Sequence, residues 1–360
     1  MTSTPRRIAP RAEPSRRRRG KAPTIFDVAA IAGVSKSTVS NVVRGADEVS
    51  EQTRARVLDA IARLQYTPNA IARQFVNQRT TMLGVLVGDL GNPYYAQMAR
   101  VVERAAFGCG YTAMFCNIEG DDNLAAAGVD ALLEQRVAGV VFLAFSENTP
   151  HLEDSLRHAA VPIVFLGLHE RWADSVSPRD TDGGRLATSH LLGLGHERIA
   201  YVRTPLVEMS TDRARHAGYR AALRSAGRSS LAPVRWEPGS PVLRAGRVQS
   251  TVAELFRGQR APTAVFVSND IGAIALIEAI ETEGINVPAD VSVVGFDDIA
   301  IAGLHRVSLT TVAQPLDFQA EKAVSLLLER IERPALPLRH VSVPVELRVR
   351  GSTAHWPPPR

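Results

Sequence analysis

The chain has 360 residues, of which 45% are hydrophobic and 22% are charged, and this size suits two or three globular domains. No apolar run approaches the roughly 20 residues of a membrane span, and the arginine-rich N-terminus lacks the apolar stretch of a secretory signal. The net charge is +5 and the two cysteines fit neither a disulfide framework nor CxxC spacing, so we expect a cytoplasmic protein without structural metal, cofactor or membrane partner.

Positive charge is concentrated at the N-terminus. Residues 1–79 hold fifteen Lys and Arg against six Asp and Glu, whereas the remainder of the chain carries more acidic than basic residues. Residues 1–22 are rich in Arg, Pro and Ser without hydrophobic periodicity, which predicts a disordered basic tail. The run Arg16 to Arg19 fits a solvated tail as well as an arm that binds phosphates without sequence preference. The basic end is therefore the candidate for nucleic-acid binding.

Three short helices are predicted between residues 23 and 68. The boundaries are marked by a Thr24–Asp27 capping box and Gly33 for the first helix, by Ser35 for the second, Lys36 to Val43, and by Ser50 for the third, which ends near Leu64. Each helix has one apolar side, so the three can enclose one small core.

The second helix carries the side chains expected of a helix that enters the DNA major groove. Its short polar or basic residues are Lys36, Ser37, Thr38, Ser40 and Asn41. Lys36 can donate to guanine and Asn41 can pair with adenine through two hydrogen bonds. The alternative is the solvated face of an ordinary helix. A single helix-turn-helix makes few base contacts, so we expect a two-fold dimer on palindromic double-stranded DNA.

Residues 69–80 are predicted to form a linker. Pro68 interrupts the helical pattern, and the segment from Ala70 to Asn77 is shorter than the ~12 to 15 residues that an isolated helix needs for marginal stability. The segment is therefore expected to become helical only against a partner.

From Met82 onward, short β-branched runs alternate with amphipathic helices. The predicted strands are Leu83 to Val87, Tyr111 to Cys116, Gly139 to Ala144, Pro162 to Leu166, Ile199 to Val202, Ala264 to Val267 and Val291 to Phe296. This order predicts an α/β core with parallel sheets. The core is too long for one doubly wound domain, so we expect one lobe at about 81–180 and a second at about 183–312. A C-terminal segment would cross back as far as residue 353, followed by a tail at 354–360.

Polar side chains follow several of these strands, as Asp89, Asn269 and Asp297 do. Ligands of parallel α/β sheets bind at the carboxyl ends of the strands. The strand ends therefore predict a binding cleft.

Several motifs follow one another along the chain: TIFDVAAIAGVSKSTVSNVVRG at 24–45, NPYY at 92–95, GHERIA at 195–200, RHAGY at 215–219, VVGFDD at 293–298 and LTTV at 309–312. The order of these motifs resembles the lac repressor family. The resemblance covers about residues 23–353. It implies an all-α helix-turn-helix domain, a two-lobed periplasmic-binding-protein-like core, dimerisation through that core, and repression controlled by a small effector, a sugar or sugar derivative.

The resemblance also implies site residues. In such repressors the linker becomes a hinge helix in the minor groove, which here would use Asn69, Ala72 and Phe75. Phe75 stands where the family has leucine, so packing against the core is the alternative for it. The positions that line the effector pocket are Arg215, Asn269 and Asp297, and we add Asp89 at a strand end and Tyr94 as an aromatic wall. An interlobe salt bridge is the alternative for Arg215 and Asp297.

Details of the pocket do not transfer from the family. Gly167, Thr181 and Arg203 replace an acidic residue, an asparagine and a glycine that are usual there. The identity of the effector, and whether it induces or corepresses, therefore stay open.

Two other functions fit the sequence less well. The only dinucleotide-like run, Gly108 to Ala113, follows a helix and precedes a strand, which is the reverse of the required order. No other catalytic motif occurs, so we predict no enzyme and no catalytic residue. An exported sugar-binding protein is disfavoured by the missing signal and the attached helix-turn-helix.

Overall fold

The computed structural model describes residues 23–43, 49–66, 80–119, 121–143, 157–158, 161–168, 171–204, 209–231, 233–235, 252, 255–256 and 261–357. The chain divides into two compact units, Met1–Arg79 and Thr80–Arg360.

The first unit contains the three predicted helices, which are confirmed. They are α1 (Ile25–Ala32), α2 (Lys36–Val43) and α3 (Glu51–Leu64). Val28, Val39 and Val57 are fully buried where the helices meet. The Thr24 amide donates to the Asp27 carboxylate at 2.7 Å. Local capping thus fixes where α1 begins, and burial of the valines holds the helices together.

The second unit contains two six-stranded sheets. The strands are β1 (Met82–Val87), β2 (Thr112–Asn117), β3 (Gly139–Leu143), β4 (Ile163–Leu166), β5 (Asp174–Pro178), β6 (Ile199–Arg203), β7 (Val234–Arg235), β8 (Ala264–Val267), β9 (Ser292–Asp297), β10 (Thr310–Ala313), β11 (His340–Val343) and β12 (Glu346–Arg348). The first sheet has the order β11-β5-β4-β3-β1-β2 and the second has the order β12-β10-β9-β8-β6-β7. All the pairings are parallel except that of β12 with β10.

Helices cover both sheets. They are α4 (Pro93–Gly108), α5 (Asp122–Glu134), α6 (Asp180–Gly193), α7 (Met209–Ser225), α8 (Asp270–Thr282) and α9 (Leu316–Glu332). We call the first sheet with α4, α5 and α9 the first lobe, and the second sheet with α6, α7 and α8 the second lobe. Strands such as β1 and β9 are buried almost throughout, as expected of parallel strands covered on both faces.

The chain passes between the lobes three times. It leaves the first sheet after β5 and enters α6, returns after β10 into α9, and crosses again between β11 and β12. Leu326 and Leu327 of α9 lie in the core of the first lobe. The C-terminal third of the chain therefore contributes to both lobes.

Residues 351–357 pack on the second lobe. The Ser352 hydroxyl donates to the Val293 carbonyl at 2.6 Å, and the Trp356 amide donates to the Leu194 carbonyl at 2.8 Å. The Trp356 ring stacks on His196 with ring centroids 6.0 Å apart. The end of the predicted C-terminal segment and the start of the predicted tail are thus docked by hydrogen bonds and by stacking.

Among the described residues, no helix combines the length and the hydrophobicity that crossing a membrane requires.

Candidate functional site

In the first unit, Lys36 is the basic residue among the five positions of α2 predicted to read DNA, and it is exposed. It is the first residue of α2, and its ammonium lies 5.2 Å from the centroid of the Phe26 ring. Phe26 lies on α1 and is itself 64% exposed. A cation over an aromatic face is held electrostatically, so the ring restricts where the ammonium points. Val39 and Val42 form the buried side of α2, so its polar side faces outward.

Two of the predicted DNA-reading hydroxyls belong to the cap of α2. The Thr38 amide donates to Ser35 Oγ at 3.1 Å, and the same Oγ lies 2.7 Å from the Ser37 hydroxyl and 2.8 Å from the Thr38 hydroxyl. Ser40 and Asn41 are half-buried. These five positions remain predicted DNA contacts. The predicted hinge residues Asn69, Ala72 and Phe75 lie outside the described residues.

In the second unit, Arg215 is the centre of a buried charged group. Its Nε donates to Asp180 Oδ1 at 2.8 Å and its Nη1 donates to the Ser268 carbonyl at 2.5 Å. Its Nη2 lies 3.7 Å from Asp297 Oδ1, and the guanidinium sits 3.6 Å from the Phe296 ring centroid. Only 4% of Arg215 is exposed. Buried guanidinium groups need such paired carboxylates to offset the loss of hydration.

Arg215 and Asp297 both belong to the second lobe, since Arg215 lies on α7 and Asp297 ends β9. Their ion pair is therefore within one lobe, and the alternative of an interlobe salt bridge is wrong. The sequence placed a lobe boundary between residues 180 and 183, but could not show that α7 packs beside β9.

The Asp297 carboxylate lies at the carboxyl end of β9 on a strained backbone, with φ of 120°. Burial raises the pKa of Asp297 to about 7, although Arg215 and the hydrogen bond from Gln314 oppose the rise. This carboxyl therefore changes its charge near neutral pH.

Gln314 and Tyr94 extend the group toward the first lobe. Gln314 Nε2 donates to Asp297 Oδ1 at 2.8 Å, and the Tyr94 hydroxyl lies 3.5 Å from Gln314 Oε1. Burial, followed by the charge of Asp297, raises the pKa of Tyr94 well above its usual value, so the phenol stays neutral and can donate. Tyr94, Arg215 and Asp297 are thus brought together as expected of a ligand cleft.

Asn269 and Asp89 have local structural roles. Asn269 caps α8, because its Oδ1 accepts from the Gly272 amide at 3.0 Å. Asp89 Oδ1 accepts from the Gly91 amide at 2.7 Å, within its own loop. Asn269 adjoins the Ser268 carbonyl that binds Arg215, whereas no hydrogen bond or ion pair within the described part of the chain ties Asp89 to Arg215 or Asp297. Both remain predicted ligand contacts.

Three residues in or near this group were not predicted from the sequence. Asp180 starts α6 and binds Arg215, Gln314 follows β10 and binds Asp297, and the Thr211 hydroxyl on α7 reaches the Gly167 carbonyl of the first lobe at 3.5 Å. Gln314 was not found because the strand that it follows, β10, begins with two threonines and was itself not predicted.

Within the described ranges, no three His, Cys, Asp or Glu side chains are arranged to hold a metal ion.

Comparison with known proteins matches both parts of the chain. Residues 24–69 match the model of bacterial regulatory proteins of the lacI family, and residues 188–353 match the model of the periplasmic binding protein-like domain. The ribose operon repressor of Escherichia coli K12 is 36% identical over 331 residues, which cover 91% of this chain and 99% of that repressor.

Solved structures agree over most of the chain. The Lac repressor dimer bound to operator and the anti-inducer ONPF has a TM-score of 0.81 at 29% identity, and the match covers 93% of this chain and 100% of that one. A LacI family transcriptional regulator from Enterococcus faecium with bound ribose has a TM-score of 0.65 at 28% identity, and the match covers 76% of this chain and 98% of that one.

Proposed function

The chain belongs to the LacI family of bacterial regulatory proteins, and from this we propose that it represses transcription by binding a palindromic operator as a homodimer. A sugar or sugar derivative bound between the two lobes changes its affinity for that operator. A protein that binds operator DNA works where the chromosome is, so we place it in the cytoplasm.

The observation that carries the proposal is the buried polar group at the carboxyl ends of β9 and β10. Asp297 and Arg215 are rigidly held, and together they offer acceptors and donors of the kind that bind vicinal hydroxyls. Two similar proteins, the ribose operon repressor and the regulator with bound ribose, support a sugar. Asn269 would contribute its amide nitrogen, because its oxygen already caps α8.

The hydrogen bonds around Arg215 and Asp297 favour ligand binding over catalysis. The Arg215 guanidinium is bonded to Asp180, to Ser268 and to the Asp297 carboxylate, which also accepts from Gln314. Groups held by such a network stabilise a fixed geometry, which suits recognition of one ligand shape.

The experiment that tests the effector role titrates the purified full chain into a labelled operator duplex, with and without D-ribose. Coupled sites change each other's affinity by about 5- to 150-fold, and we expect a ratio in that range. A panel of neutral pentoses, hexoses and disaccharides widens the test if D-ribose itself is silent. An operator affinity that no sugar changes would contradict the effector role.

Replacement of either Lys36 or Asn41 by alanine is expected to relax base preference at one position of each half-site by about 1–3 kcal/mol. The reason is that both side chains would contact base edges. Binding of the variants to a set of single-base operator mutants measures the effect. The matched control is Arg17→Ala in the N-terminal tail, which should weaken binding to all sequences alike. Equal losses on every operator from Lys36→Ala would remove this residue from base readout.

Effector affinity is expected to fall as the pH drops below about 7. Ligand hydroxyls donate to the ionised Asp297 carboxylate, and burial raises the pKa of this carboxyl to about 7. Binding therefore requires proton release below that pH, and affinity levels off above it. Calorimetry in buffers of different ionisation enthalpy measures the released proton. The Asp297→Asn variant should bind weakly at every pH, and an unchanged pH profile in this variant would sink the assignment.

A further inference from the structure

Gln314 lies where the chain crosses from the second lobe to the first. It follows β10, which ends at Ala313, and it precedes α9, which begins at Leu316. Its side chain is buried, with 6% exposed. A polar side chain in this position contacts both lobes at once.

The two ends of the Gln314 carboxamide serve different lobes. Its Nε2 donates to Asp297 Oδ1 of the second lobe at 2.8 Å. Its Oε1 lies 3.5 Å from the Tyr94 hydroxyl and 3.3 Å from Gln319 Nε2, and both of these groups belong to helices of the first lobe. An ionised carboxylate only accepts hydrogen bonds, so the nitrogen end faces Asp297 and the oxygen end faces the donors of the first lobe.

Gln319 offers the Gln314 carboxamide a second set of hydrogen bonds. It is fully buried, and in the described part of the chain its Oε1 has no hydrogen-bond partner. A buried acceptor without a donor is costly, so this oxygen would accept an N–H brought near it. If both carboxamides turned over, the Gln314 nitrogen would donate to the Gln319 oxygen in place of the present bond from Gln319 Nε2 to Gln314 Oε1.

We propose, resting on the function proposed above, that Gln314 is a positioning residue that couples effector binding at Asp297 to the placement of the first lobe. Without effector, Gln314 donates to Asp297. An effector hydroxyl that donates to the same carboxylate competes with the amide, and the released N–H turns toward Gln319. The bonds that join the lobes then differ between the two states, which is what a ligand needs to shift an equilibrium.

The Gln314→Met variant tests the coupling, because methionine keeps the length of the side chain without its hydrogen bonds. The probe is D-ribose, and the readout is the ratio of operator Kd with and without it. We expect that ratio to fall from the range of about 5- to 150-fold to near 1. Operator Kd without D-ribose is measured for this variant too, so that a change in the ratio is separated from a change in operator binding itself.

Two further variants distinguish a role of Gln314 in coupling from a role in stability alone. Gln97→Met is the matched control, because Gln97 on α4 donates only to the Pro93 carbonyl of its own helix and should keep the full ratio. In Gln314→Glu, a protonated carboxyl can donate and accept as the amide does, whereas an ionised one repels Asp297. We expect this variant, like Gln314→Met, to lose most of the response at neutral pH, because an ionised carboxylate cannot donate to Asp297.

A Gln314→Met variant with the full D-ribose ratio overturns the proposal. If the natural protein binds operator but D-ribose has no effect on it, the choice of effector is wrong. A measurement without ligand then tests whether Gln314 couples Asp297 to Tyr94. Tyr94→Phe and Asp297→Asn should then be non-additive in unfolding free energy in the natural protein, and additive in the Gln314→Met background. Additivity in both backgrounds overturns the proposal as well.

Discussion

Replacement of Arg215 by methionine is expected to abolish effector binding and to destabilise the second lobe by about 3–5 kcal/mol. Methionine retains the apolar stem but leaves Asp180 and Asp297 buried without a counter-charge, because both carboxylates bind the same guanidinium. Chemical denaturation followed by circular dichroism measures the loss.

The size of this loss should depend on pH. Without Arg215 the buried Asp297 carboxyl holds its proton to a higher pH in the folded state than in the unfolded state, because burial raises its pKa and the opposing charge is gone. Its folded pKa then lies above the unfolded one, so stability is retained at low pH and lost as the pH rises. The defect should therefore be smaller near pH 5 than near pH 8.

Arg185→Met is the matched control for Arg215→Met. Arg185 lies on α6 and pairs with Asp182, but both side chains are largely exposed. Exposed pairs contribute about 0–1 kcal/mol, so this variant should remain close to the natural protein at both pH values. Equal losses in the two variants would contradict the structural role of the buried group.

Gly218→Ala is expected to destabilise the second lobe by about 3 kcal/mol, at the upper end for overpacking. A Cβ at Gly218 would lie 2.0 Å from the Thr181 carbonyl oxygen, and one at Gly184 would lie 2.0 Å from the Arg215 carbonyl oxygen. These neighbours are backbone atoms, so α6 and α7 would have to separate. Since Asp180 lies on α6 and Arg215 on α7, effector affinity should fall together with stability. Chemical denaturation and calorimetry with D-ribose measure the two effects.

Gly193→Ala provides the control on α6. A Cβ at this position would meet no atom within 4 Å. Alanine also favours a helix over glycine by about 1 kcal/mol, so this variant should equal or exceed the natural stability. A Gly218→Ala variant as stable as Gly193→Ala would show that the close approach of the two helices is not required.

Local signals explain why much of the fold could be predicted. The Thr24–Asp27 box and the Ser50 cap fix helix starts from residues three positions apart, and the buried runs of β1, β3 and β9 are recognisable without their neighbours. The short strands β7, β11 and β12 were missed. So were β5 and β10, because β5 contains two serines and an aspartate and β10 begins with two threonines. These strands are identified by the neighbours that bury them.

The site was predictable only in part, for the same physical reason. Arg215 and Asp297 were found through strand ends and family motifs. Asp180 lies 35 residues from its partner Arg215, and the contact depends on the packing of α6 against α7. Gln314 lies 17 residues from Asp297, across the β9–β10 pairing. No periodicity along the chain encodes such contacts.

Selection of random double-stranded DNA by the purified full chain tests the central claim most directly. We expect enrichment of a palindrome with two half-sites, and loss of preference at one position of each half-site with Lys36→Ala or Asn41→Ala. Selected pools without a common sequence, or a preference that both variants leave unchanged, would contradict an operator-binding function through α2.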